Sequence, residues 1–559
     1  PYPAAPVDHF EACAKVTAPG ERFETEQVTL PDGVTYTAFK NAPRSLRQVF
    51  DTARDRGDEI FLVYEDERWS FQRTMQHVDA LAALLVERGV KKGDRVSIGM
   101  RNYPEWVLAF AAITSIGAVS VSLNAWWTEE ELAYALEDSG TTLLLADRER
   151  VERALPARER LGFDIVGVRL GGASFDGVDR LEDVLPVGAP MPDVDVTPDD
   201  DATILYTSGT TGFPKGAVST HRAVTQALMA FGCRAAVDRL RRPDAPKPTG
   251  KPAFILIVPL FHVTGCVPVM LSCFSAGSKL VIMYKWDPER ALELIEREQV
   301  TNFVGVPTQS WDLLESPSFA TRDTSSLISV GGGGAPAPPQ LVARVDSSFE
   351  KARPSLGYGM TETNAYGPGN NGQDYVDRPT STGRVVPIMQ IAIRDPDGND
   401  VAVGQQGEIW FKGPNLIRGY WNKPEATAET IVDGWLRSGD IGRVDDEGFV
   451  YVEDRAKDMV LRAGENVYCA EVEAAIYEHP DVYEAAVFGV PHDRLGEEVA
   501  CAVLPKAGAT LDAAALQSFL GERLAAFKVP SVVRIVDDRL PRNPAGKILK
   551  RELRDSLSS

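Results

Sequence analysis

Helical and strand patterns alternate through the first half of this chain, and its strands are largely apolar. Leu46, Val49, Phe50 and Ala53 recur at helical spacing, and Val78, Leu81, Leu84 and Leu85 repeat it before Gly89 ends the run. "RVSIGM" follows as a strand, and Pro104 opens the helix "PEWVLAFAAITSIGA" at its first position. After the strand "VSVSLN", Thr128 and Glu131 form a capping box for "EEELAYALEDSG", and "TLLLA" is another apolar strand. Further on, Asp287 and Pro288 start a helix that runs to Glu298, and "NFVGVP" returns as a strand. Apolar strands alternating with helices predict a mainly parallel, doubly wound α/β sheet covered on both faces.

At 559 residues the chain exceeds one hydrophobic core, and the usual size relation gives about three or four structural units. From about residue 384 short strands separated by "DPDGND" and "DDEGF" predict a β-rich subdomain. The apolar run from Phe254 to Met283 is broken by Pro259, His262, Gly265, Pro268, Gly277 and Lys279. It reads as a buried strand, a site loop, a helix and another strand rather than a membrane span. Asp238 to Pro252, rich in proline and charge, is expected to be an exposed surface loop.

The formal charge of −21 disfavours nucleic acid as a partner, because a phosphate backbone would be repelled overall. An anionic substrate therefore needs a local basic site inside an acidic shell. The six cysteines, Cys13, Cys233, Cys266, Cys273, Cys469 and Cys501, include no C-x-x-C pair, so reduced thiols in a cytoplasmic setting are expected.

The stretch "YTSGTTGFPKGA" (Tyr206 to Ala217) concentrates glycines and hydroxyls beside one lysine, which suits a polyphosphate. Its spacing, G-x-x-G-x-x-K-G, is not that of the P-loop. It follows the strand "DATILY", and ligands of α/β sheets bind beyond the carboxyl ends of strands. "SVGGGGAP" (Ser329 to Pro336) offers bare backbone against which a flat ligand could lie. In "YGMTET", Tyr358 suits stacking on a base, Thr361 suits a phosphate, and Glu362 suits a hard cation. Asp440 in "GWLRSGDIG" suits two ribose hydroxyls. Taken singly, Tyr358 as core, Glu362 as a solvated face and Asp440 as a turn residue remain open.

Together these pieces resemble the adenylate-forming superfamily of acyl-CoA synthetases, adenylation domains and beetle luciferases, over roughly Leu46 to Leu553. The matching motifs, in the family's order, are "YTSGTTGFPKGA", "PLFHVTG", "YGMTET", "GEIWFKGPNLIRGYW", "GWLRSGDIG", "DRAKDMVLRAGENVYCAEVE" and "PRNPAGKILKREL". The resemblance implies a large N-terminal domain, residues 1–455, of doubly wound α/β subdomains plus a β-rich subdomain. A small α+β lid domain, residues 456–559, follows, with its hinge near Lys457. It implies a two-step reaction: a carboxylate attacks the α-phosphate of Mg-ATP to give an acyl-adenylate and pyrophosphate, and a thiol then displaces AMP.

By the same resemblance Lys547 is the lysine that bridges carboxylate and α-phosphate. Thr207, Ser208, Gly209, Thr210, Thr211 and Lys215 cradle pyrophosphate, Glu362 holds Mg2+, and Thr361 contacts the α-phosphate. Asp440 and Arg455 meet the ribose, Tyr358 stacks on adenine with Gly359 and Met360 beside it, and Gly333, Gly334 and Ala335 form the adenine wall. His262 orients the acyl carboxylate in a pocket that also has Val263, Val306, Gly332 and Gly359. Gly464 lines the thiol tunnel. Two positions depart from the family pattern: Asp454 stands where glycine is common, and Cys469 where proline is usual.

The preferred reading is a free-standing acyl-CoA synthetase using ATP, CoA and Mg2+ on a medium- to long-chain fatty acid. Aryl or steroid-side-chain acids, and loading of a separate carrier-protein thiol, stay open as alternatives. So do a homodimer and peripheral association with a membrane, although no span is expected.

Overall fold

A computed structural model describes residues 7–31, 33–207, 214–245, 247–248, 250–335, 337–455, 458–462, 465–492, 494–544 and 546–557. The alternating first half builds two eight-stranded sheets. In the first, the strands Arg95–Gly99, Val119–Ser122, Leu143–Asp147, Asp164–Val168 and Asp201–Thr207 run parallel, and Lys215–Thr220 returns antiparallel at one side. In the second, Ile60–Tyr64, Lys279–Ile282, Ala253–Leu256, Asn302–Gly305, Ser329–Gly333 and Arg353–Gly357 are parallel neighbours.

Helix Pro104–Ser115 explains how the sheets join. It is apolar all round, and Trp106, Phe110 and Ile113 have no exposed surface. Such a helix has no face to offer water and must be covered on every side. It shares one core with Val96 and Ile98 of the first sheet and Phe61 and Leu280 of the second.

The local signals act as expected. Thr128 Oγ1 accepts from the Glu131 N–H, the Glu131 carboxylate accepts from the Thr128 N–H at 2.8 Å, and Gly140 ends the helix at φ +61°. Asp287 caps the helix Pro288–Glu298 by accepting from the Arg290 N–H at 2.9 Å. The run Phe254 to Met283 forms a strand, a loop, a helical stretch from Gly265 to Ala276 and a second strand. Among the described residues no helix is long and apolar enough to cross a membrane.

One expectation fails in part. The segment from Asp238 begins inside a helix, His221–Arg241, rather than as exposed loop. Asn371 donates to Asp238 at 2.7 Å, and Arg241, which is buried, pairs with Asp374 at 2.5 Å. Partners distant in sequence hold charges that composition alone assigned to solvent.

Beyond Arg384 the strands Gln390–Arg394, Gly407–Lys412, Trp435–Val444 and Val450–Arg455 pair antiparallel in a separate sheet. The final stretch forms another sheet, in which Val482–His492 and Gly496–Pro505 are the long strands. Helices Cys469–Tyr477, Ala513–Gly521 and Lys550–Leu557 accompany it.

Candidate active site

The strand Asp201–Thr207 delivers the glycine-rich loop, and Lys215 receives the chain directly opposite Thr207 in the antiparallel ladder. Ser208, Gly209, Thr210 and Thr211 lie outside the described residues. Lys215 Nζ sits 4.6 Å from the centre of the Tyr420 ring, and the Tyr420 hydroxyl donates to Glu362 Oε1 at 2.7 Å. Glu362 is buried, in the short turn Thr361–Thr363 that follows Tyr358, Gly359 and Met360. Among the described residues its Oε2 accepts no hydrogen bond, and no group of three or more His, Cys, Asp or Glu side chains could hold a metal. A single carboxylate with a free oxygen suits magnesium, which keeps waters and takes its remaining oxygens from phosphate.

A second cluster lies where the Gly-rich strand and the β-rich sheet meet. The Tyr358 hydroxyl donates to Asp440 Oδ2 at 2.5 Å, and its ring tilts against Phe411. Arg455 faces Asp440 in the strand ladder, with Nε 3.5 Å from Oδ1. Burial raises the Asp440 pKa, while Arg455, the Tyr358 hydrogen bond and Lys547 act against that rise. At Gly333 a methyl group would come within 3.0 Å of the Gly357 carbonyl of the adjacent strand. Gly334 adopts φ +76°, a conformation that costs a side-chain-bearing residue strain. Ala335 follows it, half-buried.

Lys547 belongs to the same neighbourhood despite its distance in sequence. Its turn is closed by the Lys547 N–H donating to Asn543 Oδ1 at 2.9 Å and the Asn543 N–H donating to the Lys547 carbonyl at 2.8 Å. Burial, then repulsion by Arg455, lowers the Lys547 pKa to about 8, with Asp458 and Asp440 pulling the other way. Gly546, at φ +87°, packs on Val306, and a Cβ there would approach Val306 Cγ2 to 2.8 Å. Next to Val306, Pro307 lies 3.8 Å from the position of a Cβ on Gly332. Gly359 is held for another reason, since a Cβ would strike the Ala365 carbonyl oxygen at 2.3 Å.

His262 lies in the loop before a π-helical stretch, Gly265–Leu271, and its Nδ1 accepts from the Thr264 N–H at 3.3 Å. The residue is half-buried, and burial pushes its pKa down to about 4, so it is neutral at ordinary pH. Val263 is buried beside it. Lys457 and Gly464 lie outside the described residues. The six cysteines are all unpaired and buried.

Several site residues escaped the sequence reading. Tyr420 lay inside "RGYW" but carried no separate signal. A cavity of about 510 Å³ lies between the His262 loop and the Lys547 turn, with Arg101, Lys285, Arg539 and Arg542 in its lining. The Arg101 guanidinium lies 4.7 Å from the Trp126 ring and 4.8 Å from the Tyr284 ring, both of which also line it.

The arrangement has known counterparts. The model of the AMP-binding enzyme family matches residues 49–421, and that of the AMP-binding enzyme C-terminal domain matches residues 471–547. Feruloyl-CoA synthase of Amycolatopsis sp. is 36% identical over 490 residues, which cover 87% of this chain and 93% of that protein. The long-chain-fatty-acid–CoA ligase FadD13 of Mycobacterium tuberculosis is 32% identical over 507 residues, covering 88% and 94%. The solved o-succinylbenzoate CoA synthetase (MenE) of Bacillus subtilis, in complex with the acyl-adenylate intermediate OSB-AMP, matches with a TM-score of 0.77. It is 29% identical and covers 91% of this chain and 98% of its own. The chain belongs to the AMP-binding enzymes, as an adenylate-forming acyl-CoA synthetase of the AMP-forming acid–thiol ligase type.

Proposed function

We propose that this enzyme activates a carboxylic acid with a mostly apolar body, first as its adenylate and then as its CoA thioester. The observation that carries the reading is the position of Lys547. Its charge stands beside Asp440 and Arg455 on one side, and its turn rests on Val306 on the other. A nucleotide held by Asp440 and Arg455 and an acid lying against Val306 and Gly332 would meet at that ammonium group.

In the first step a carboxylate oxygen forms a bond to the α-phosphorus of ATP and pyrophosphate leaves with the electrons of the broken P–O bond. Two anions must approach, so a fixed positive charge at the developing phosphorane lowers the barrier; one aimed donor of this kind contributes roughly 3–4 kcal/mol. With Nδ1 accepting from Thr264, neutral His262 carries its proton on Nε2 and can donate it in a hydrogen bond to the acid without adding charge. Tyr358, with Gly333, Gly334 and Ala335, forms the adenine surface, and Thr361 with Lys215 and the glycine-rich loop meets the phosphates. Glu362 is the residue that would hold Mg2+, oriented by Tyr420; the ion supplies charge neutralisation on phosphate oxygens.

In the second step the thiol sulfur attacks the acyl carbon and AMP departs. CoA as that thiol is supported by the relatives, which are a feruloyl-CoA synthase and a fatty-acid–CoA ligase. We place the boundary of the C-terminal unit near Lys457 and assign Gly464 to the thiol path by resemblance to the family.

The apolar side chains of Val263 and Val306, with no side chain at Gly332, suit the apolar body of a medium- to long-chain fatty acid, as with the FadD13 relative. A ring-bearing acid is the second reading, favoured by the feruloyl-CoA synthase relative. Pyrophosphate release over a panel of straight-chain, aryl and fused-ring acids, with CoA or a carrier-protein thiol as acceptor, tests all of this. Release without thioester formation from CoA would overturn the choice of thiol. Full adenylation by Lys547→Ala would overturn the assignment of its charge.

A further inference from the structure

We propose that Asp312 is a positioning residue for adenylation: it holds the C-terminal unit on the body of the enzyme so that Lys547 faces the acid. The inference rests on the reading of Lys547 above and adds the means by which that lysine is placed. Helix Pro307–Glu315 begins directly after the pocket residue Val306. Thr308 and Asp312 are four residues apart on it and so share one face.

The segment that carries Lys547 lies along that face in reverse order. Arg539 Nη2 donates to Asp312 Oδ1 at 2.7 Å, Arg542 Nη1 donates to Thr308 Oγ1 at 3.3 Å, and Gly546 packs on Val306. The Tyr483 hydroxyl, also from the C-terminal sheet, donates to the same Oδ1 at 2.6 Å. Asp312 does not turn freely to meet these donors, because its Oδ2 is held from the body by Trp286 Nε1 at 2.9 Å. One oxygen therefore belongs to the body and the other to the docked unit.

The docked side is equally constrained. Glu484, whose side chain is only 2% exposed, pairs with Arg539 and lies 3.0 Å from Arg542, and it accepts from the Leu540 N–H at 3.1 Å. Glu484 thus ties the segment to its own sheet, and Asp312 ties it to the body. Charge strengthens the case. Among the described residues lining the 510 Å³ cavity Asp312 is the only acid, and Arg101, Lys285, Arg539 and Arg542 are the cations. Without the Asp312 charge, Arg539 would keep only Glu484 of its own sheet as a charged partner, and nothing of opposite charge among the described residues of the body would hold it.

The test separates positioning from simple structural damage. Asp312→Asn keeps the side-chain shape and removes the charge; it should lower acid-dependent pyrophosphate exchange by about ten- to a hundredfold, as expected for a hydrogen-bonded charge. Conversion of supplied acyl-adenylate and CoA to thioester should stay within about twofold of the parent, since that step does not use the Lys547 position. Arg539→Ala should reproduce the split, and Asp312→Ala with Arg539→Ala should be no worse than either single change. If Asp312 variants fail to fold, Tyr483→Phe removes one donor from the same oxygen and should lower exchange alone. Equal loss of both half-reactions, unchanged exchange, or additive losses in the double variant would each overturn the proposal. Lys547→Ala run in parallel keeps the two ideas apart: if it retains exchange, the reading of Lys547 falls whatever Asp312 does.

Discussion

Cys469 and Asp454 face each other across the junction between the β-rich sheet and the C-terminal unit: the Cys469 N–H donates to Asp454 Oδ2 at 2.5 Å. Cys469 is the first residue of helix Cys469–Tyr477, and Tyr468, the residue before it, provides no side-chain cap. Asp454 therefore supplies an acceptor to one of the orphan N–H groups at that helix start. These are the two positions at which the chain departs from its family's pattern, and the structure makes them partners.

A matched pair predicts non-additivity. Burial raises the Asp454 pKa to about 6, with Lys550 the main opposing charge. Asp454→Gly alone leaves the Cys469 N–H without its acceptor, and Cys469→Pro alone leaves Asp454 Oδ2 without that donor, while Oδ1 keeps the Arg455 N–H. Each should cost about 1–3 kcal/mol. The double variant leaves neither orphan, and proline fits the first position of a helix. Its thermal midpoint should recover most of the two single losses; midpoints that fall by their sum would show the residues to be independent.

The Lys547 charge sets a pH limit. Its pKa is lowered to about 8, so the ammonium form is complete well below that value and is lost as pH rises through it. Because kcat/KM reports groups of the free enzyme, kcat/KM for ATP in pyrophosphate exchange should fall above about pH 8. His262, lowered to about 4, should add no inflection at neutral pH. A plateau extending to pH 10 would contradict the assignment.

Two glycines should respond in opposite ways. A Cβ on Gly332 makes only ordinary contacts, the nearest being the Gly305 carbonyl at 3.5 Å, so Gly332→Leu should fold and fill pocket space. It should disfavour long or bulky acids relative to acetate or propionate by about 1–3 kcal/mol. A Cβ on Gly359 meets the Ala365 carbonyl at 2.3 Å, so Gly359→Ala should destabilise the fold by about 1–3 kcal/mol. Unchanged acid preference in Gly332→Leu would move the pocket elsewhere.

Removing the Glu362 charge should raise the magnesium requirement. Glu362→Gln keeps the shape but weakens the cation site, and Tyr420→Phe removes the hydroxyl that orients the carboxylate. Loss of such an outer partner typically costs about 10–100-fold in metal affinity. The magnesium concentration for half-maximal pyrophosphate exchange should rise in both variants. If neither variant shifts it, Glu362 does not hold the ion.

What the sequence determined by itself is what resides within a few residues of chain. Helix starts at Thr128 and Asp287, the stop at Gly140 and the apolar strands of both sheets follow from spacing and from backbone groups that need nearby partners. The order of motifs likewise identified the reaction class, because each motif is a local run. Tertiary structure alone decided which runs meet. Nothing local to "NPAGK" places Lys547 against Val306 and Arg455, and nothing local to Asp238 or Arg241 indicates that Asn371 and Asp374 hold them in a helix. Asp454 with Cys469, and Asp312 with Arg539 and Tyr483, are of the same kind. Periodicity reports which face of an element is apolar; it does not specify which distant element covers that face, and a charge finds its partner only after that cover is in place.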